Sequence, residues 1–193
     1  MGFKLGSKSL LITFHPVTLE KATAGDQFEE LLASLALLKD TQLIFTMPNA
    51  DTDGRELIKL VEDFVSRHPN AKSYTSLGQL RYLSCLAQVD GVVGNSSSGL
   101  LEVPSFRKGT VNIGDRQRGR LQAESVINCE PNRESISAAL LHLYSDQFQK
   151  SLQHIKNPFG EGGASESIVA IIKSASLDHI LKKHFFDLKK ICV

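Results

Sequence analysis

The sequence predicts an α/β protein built on a doubly wound, mostly parallel sheet, and three observations predict it. Short continuous apolar runs recur along the chain, stretches with helical apolar spacing separate them, and the alternation continues from Leu10 to Tyr144. Continuous rather than alternating apolar runs suit strands covered on both faces, which is how parallel sheets are buried.

Leu10-Leu11-Ile12-Thr13-Phe14 is the first strand and ends at His15-Pro16. From about Asp26 to Lys39, the residues Phe28, Leu31, Leu32, Leu35 and Leu38 form one apolar helical face. Leu43-Ile44-Phe45 is a second strand, and Leu57, Ile58, Leu60, Val61, Phe64 and Val65 mark the helix after Asp53-Gly54. A short strand near Lys72 to Thr75, a helix from about Gly78 to Ala87, a strand Gly91-Val92-Val93 and a helix opening in Ser96-Ser97-Ser98 continue the pattern. Right-handed crossovers should link the parallel strands. Val111-Asn112-Ile113 and Val126-Ile127-Asn128-Cys129 read as the last strands, followed by a helix from about Arg133 to Tyr144.

After Pro158 the character changes. Phe159-Gly160-Glu161-Gly162-Gly163 is a turn and two helices run to the end, the last over about residues 176–190 with Leu177, Ile180, Leu181, Phe185 and Leu188 on one stripe. A chain of 193 residues suits a single domain and can bury roughly 70% of its unfolded surface.

Composition narrows the function. Twenty-two basic and 21 acidic residues nearly cancel, so nothing in the composition suggests a broad electrostatic footprint for nucleic acid or anionic lipid, and an anion must be held by a local site. Cys85, Cys129 and Cys192 form neither a CxxC pair nor an even disulfide framework, which favours a reducing compartment. The run from Leu10 to Phe14 is too short for a signal-peptide core or a membrane span, so the expected address is cytoplasmic. No GxGxxG follows the first strand and no GxxxxGK[ST] loop occurs, which disfavours dinucleotide oxidoreductases and nucleoside triphosphatases. The six histidines and three cysteines show no metal-ligand spacing, so neither a metal nor a cofactor is expected.

The most informative stretch is Gly91 to Glu102, where a buried strand delivers the chain into Asn95-Ser96-Ser97-Ser98 at a helix start. Free amides and the helix dipole there attract a phosphate, although Asn95 or a serine acting only as a helix cap fits the same residues. Glu102 could accept hydrogen bonds from ribose hydroxyls or be a solvated helix residue. His15 lies at the C-terminal end of the first strand, the edge where open α/β sheets bind ligands, and its imidazole suits phosphate contact or proton transfer. In the loop Gly114-Asp115-Arg116-Gln117-Arg118-Gly119-Arg120, one arginine could reach a diphosphate bidentately, the others remaining solvated. Leu77 and Tyr82, after the third strand, fall where a base could be sandwiched, or belong to the core.

Three stretches together resemble the UDP-N-acetylglucosamine 2-epimerase family: Thr13-Phe14-His15-Pro16-Val17-Thr18, Gly94-Asn95-Ser96-Ser97-Ser98-Gly99 with Glu102-Val103, and Asn112 to Arg120. The His-Pro-Val-Thr form is similar to the hydrolysing branch, which releases N-acetylmannosamine for sialic or related nonulosonic acids, rather than to the His-Arg form of the non-hydrolysing branch.

That resemblance implies the Rossmann-like, C-terminal half of a glycosyltransferase-B-like enzyme that eliminates UDP to a glycal and then adds water. It implies that His15 contacts phosphate and assists chemistry, that Ser96 and Ser97 bind the diphosphate and Glu102 the ribose. Arg116 would face the phosphates, with Leu77 and Tyr82 near uracil. The expected ligands are UDP and UDP-N-acetylglucosamine. The N-terminal domain with the principal catalytic carboxylates has no counterpart in these residues, so a partner domain is expected, with a homo-oligomer as a further option. The last helix would cross to that domain. Two rival readings are the donor domain of a glycosyltransferase of the same architecture and a non-catalytic nucleotide-binding module.

Overall fold

The computed structural model describes residues 2–16, 24–48, 52–178 and 181, with the backbone alone at 52 and 53. Six strands form one sheet: β1 (Lys8–Thr13), β2 (Thr41–Thr46), β3 (Ala71–Tyr74), β4 (Gly91–Gly94), β5 (Gly109–Ile113) and β6 (Val126–Cys129). Their spatial order is β3-β2-β1-β4-β5-β6, and every neighbouring pair is parallel. The order reverses between β1 and β4, which makes that junction the switch point where ligands of such sheets sit.

Strand side chains alternate between two cores because the side-chain period of a strand is two. Leu10, Ile12, Leu43, Phe45, Val93, Val111 and Ile113 join one buried cluster, together with Phe28, Leu31 and Leu35 of α1 (Ala24–Leu35) and Leu57, Val61 and Phe64 of α2 (Thr52–Arg67). The opposite face sends Leu11, Ile44 and Val92 into a second cluster with Cys85 and Leu86 of α3 (Gly78–Gln88) and with Val103. Sheet residues such as Leu10, Leu11, Leu43 and Ile44 have no exposed surface, as continuous apolar strands require.

The predicted strands and helices up to Tyr144 are all present, with one difference in kind. The helix expected from the serine run is only one turn long, α4 (Ser98–Leu101), followed by a 3-10 turn over Val103–Phe106. Pro104 explains this: it offers no N–H and disfavours helical geometry in the residue before it. Beyond α5 (Arg133–Leu143), a short α6 (Asp146–Ser151) is capped by Ser145, a helix that periodicity over six residues does not reveal.

Two compact units result, residues 1–160 and 161–193. The second contains α7 (Ala164–Ser174), the first of the two expected terminal helices. The helix expected over 176–190 falls almost wholly outside the described residues. Among the described residues, no helix is long and apolar enough to cross a membrane.

Candidate functional site

The site is assembled where β1 and β4 leave the sheet. Thr13 and Gly94 are the last register pair of these strands. Gly94 has φ +138°, and a Cβ there would collide with the Thr13 carbonyl, so only glycine lets the two strand ends pass this closely. One residue further on, the Asn95 side chain takes over as a strand would: its Oδ1 accepts from the His15 N–H and its Nδ2 donates to the His15 carbonyl, both at 2.8 Å. Asn95 therefore does not cap the following helix. Ser97, the residue preceding α4, makes no side-chain cap bond, while Ser96 Oγ accepts a long bond of 3.4 Å from the N–H of Ser98, the first residue of the helix.

A cleft of about 760 Å³ opens beside this junction and is lined by His15, Leu77, Tyr82 and Glu102, with Thr13, Thr46, Met47 and Gln79. Four of the seven predicted site residues thus share one cavity. Leu77 is buried in its wall, 6% exposed, at the residue that precedes α3. Glu102 sits between α4 and the 3-10 turn rather than within a helix, because the chain bends there ahead of Pro104.

Hydroxyls floor the cleft. Thr13 and Thr46 share a hydrogen bond of 2.6 Å between the ends of β1 and β2, and the Tyr82 hydroxyl pairs with Ser98 Oγ at 2.6 Å. Burial pushes the Tyr82 hydroxyl above its ordinary pKa; the bond to Ser98 opposes that, while the negative charge of Glu102 adds to it. A hydroxyl held in this way keeps its proton at neutral pH. Tyr82 is thus tied by its polar end to the serine turn, a bond that its place after the third strand does not reveal.

Ser96, Ser97 and Arg116 are not lining residues of the cleft; they stand next to it along the β4 and β5 exits. The backbone amides of Ser96 and Ser97 donate to no acceptor among the described residues, while their carbonyls hold the turn by accepting from Gly99, Leu100 and Leu101. Arg116 Nη1 donates to the Asn95 carbonyl at 3.0 Å, leaving the rest of its five-donor fork for an anion. Burial, and then the neighbouring charge of Arg120, lowers the Arg116 pKa from its ordinary value, although a guanidinium remains charged at any physiological pH. Gln117, 1% exposed, donates to the same carbonyl at 2.7 Å. A glutamine between two arginines gave no sequence signal of burial.

Arg118 and Arg120 line a different groove, also of about 760 Å³, at the β6 edge with Asn128 and His142. Its size matches the first cleft, but it lies away from the β1/β4 switch point, so we assign the candidate site to the cleft that gathers His15, Tyr82 and Glu102. Among the described residues, no group of three or more His, Cys, Asp or Glu side chains could hold a metal ion.

A parallel sheet with a hydroxyl-floored cleft, free amides and an arginine at its switch point defines the class: a Rossmann-like domain of the kind that binds nucleotides. The chain belongs to the UDP-N-acetylglucosamine 2-epimerase family, whose model matches residues 3–173. It is 37% identical over 187 residues to the GDP/UDP-N,N'-diacetylbacillosamine 2-epimerase (hydrolyzing) of Campylobacter jejuni, covering 96% of this chain and 48% of the relative. It is 31% identical over 183 residues to the UDP-N,N'-diacetylbacillosamine 2-epimerase (hydrolyzing) of Legionella pneumophila, covering 94% and 47%.

Among solved structures, UDP-GlcNAc 2-epimerase from Neisseria meningitidis bound to UDP-GlcNAc superposes with a TM-score of 0.65 at 19% identity, covering 90% of this chain and 46% of that one. That likeness shows the fold. The chain spans about half the length of the curated relatives it matches.

Proposed function

We propose that the chain is the UDP-binding C-terminal domain of a hydrolysing UDP-N-acetylglucosamine 2-epimerase, which converts UDP-N-acetylglucosamine and water to N-acetylmannosamine and UDP. The observation that carries this reading is the convergence of His15, Leu77, Tyr82 and Glu102 on one cleft, with the Ser96 and Ser97 amides and Arg116 adjoining it. Each suits a different part of one ligand. Leu77 and the apolar wall take the base, Glu102 accepts from the ribose hydroxyls, and the two amides, Arg116 and His15 meet the diphosphate.

The chemistry asks for such a site. When the sugar C2 proton is removed and the C1–O bond breaks, negative charge grows on the departing UDP. Fixed N–H donors and a guanidinium aimed at the diphosphate stabilise that charge without reorganising. Water then adds to the glycal at C1 with a proton at C2 on the opposite face. These proton transfers need groups within hydrogen-bond reach of the sugar, and His15 cannot supply them all. In this reading an N-terminal domain carries the remaining acid and base groups and closes over the sugar, which excludes water.

The sugar itself has a second reading, favoured by the two relatives named as N,N'-diacetylbacillosamine 2-epimerases: a 2,4-diacetamido sugar carried on UDP. The family membership weighs against a glycosyltransferase donor domain, and the unpaired cysteine pattern supports a cytoplasmic address.

The test is release of the free 2-epimeric sugar from each UDP-sugar, by the 193-residue chain alone and with a separately expressed N-terminal domain. Turnover only in the mixture, lost on His15→Ala, is expected. Robust turnover by the chain alone contradicts the half-site reading.

A further inference from the structure

We infer that Asn95 is a positioning residue that locks the His15 and Arg116 segments together before a nucleotide arrives; the inference rests on the UDP-binding reading above. Four observations meet at this one residue, which is 1% exposed. Its N–H donates to the Thr13 carbonyl at 3.2 Å, continuing the β1–β4 ladder. Its side-chain amide pairs reciprocally with the backbone of His15, fixing the chain just where it leaves the sheet. Its carbonyl accepts from both Arg116 and Gln117, so both lone pairs are used on the β5 loop. Three chain segments, 80 and 21 residues apart in sequence, therefore share one hub.

Gln117 strengthens the inference. Its Oε1 is buried without a hydrogen-bond partner, an unfavourable state for an amide oxygen. The useful half of that side chain is the Nε2 that braces Asn95. Arg116, exposed on the β5 loop and tied there through the Asn95 carbonyl, would lose its fixed direction if that carbonyl turned away. Preorganisation of this kind adds affinity by removing the ordering cost from the binding step.

The experiment is calorimetry on the 193-residue chain with UDP and with UMP, for wild type, Asn95→Ala and Asn95→Asp, each first shown to be folded by circular dichroism. Positioning of the diphosphate groups predicts that both variants weaken UDP at least fivefold at pH 8 while UMP changes less than threefold. A protonated aspartate has the same shape as asparagine and can both donate to the His15 carbonyl and accept from its N–H. Asn95→Asp should therefore recover toward the wild-type constant measured at the same pH as pH falls to 5, and Asn95→Ala should not.

UDP losses under fivefold, equal losses for UDP and UMP, or no recovery of Asn95→Asp at low pH overturn the inference. Should the Asn95 variants fail to fold, Gln117→Leu decides it by UDP affinity: at least threefold weaker supports the hub, less than threefold removes it. A wild-type chain that binds no UDP sinks the UDP reading and this inference together, whereas wild-type binding with indifferent variants sinks the inference alone.

Discussion

Glu102 reaches the cleft because the chain bends ahead of Pro104, and its charge is felt by Tyr82 across the cavity. If it accepts from the ribose hydroxyls, Glu102→Gln weakens UDP by about tenfold or more, since hydrogen bonds to a charged group contribute about 1.5–3 kcal/mol. The same change should matter little for a 2′,3′-dideoxy analogue; equal losses for both ligands, read by calorimetry, would remove the ribose role. A second residue-scale prediction concerns Cys129, whose thiol is pushed up to about 12 by burial and then by the charge of Glu130. Its folded pKa is raised above the ordinary value of 9.0, so its contribution to stability is fully present below about pH 9 and is lost as pH rises toward 12. The slope is at most about 1.4 kcal/mol per pH unit, and less for a half-buried group. Cys129→Ala should flatten the fall of melting temperature above pH 9. An unchanged slope counts against it. At this scale His15 and Leu77 were legible as cleft residues from their places after strands, whereas Glu102, expected within a helix, reaches the cleft from the bend between α4 and the 3-10 turn. Gln117 and the Tyr82–Ser98 bond were not legible, because burial of a polar side chain under a loop leaves no periodicity to read.

The strands were legible as elements because parallel strands buried on both faces are written as unbroken apolar runs, as in Leu10 to Phe14 and Val111 to Ile113. The long helices α1 and α2 announced themselves by their apolar faces. What failed was the length of α4, where a single proline outweighed the local pattern, and α6, where six residues are too few for a period. The close approach of β1 and β4 at their ends depends on Gly94, and there the backbone allows no side chain. Gly94→Ala should destabilise the domain by about 2 kcal/mol or more, combining positive-φ strain with a clash against the Thr13 carbonyl. Denaturant unfolding measures this, and a change within about 0.5 kcal/mol, the range of neutral surface substitutions, would show that the strand ends part more easily than the geometry implies.

Across the whole molecule, residues 1–160 form a compact unit carrying the complete set of proposed nucleotide contacts, and the chain matches about half the length of its relatives. Under the proposed function, nucleotide binding and turnover are therefore separable, with binding resident in these 193 residues. The sequence motifs pointed to the β1, β4 and β5 exits, but their assembly around Asn95 emerged only from the topology that brings residues 15, 95 and 116 to one sheet edge. The most direct measurement is a calorimetric isotherm of UDP against the folded chain, with Arg116→Ala beside it. Saturable binding by the wild type and a tenfold to hundredfold loss in the variant, about 1.4–2.7 kcal/mol, are expected. No binding at millimolar UDP, or an Arg116→Ala isotherm that overlays the wild type, would contradict the proposed UDP site.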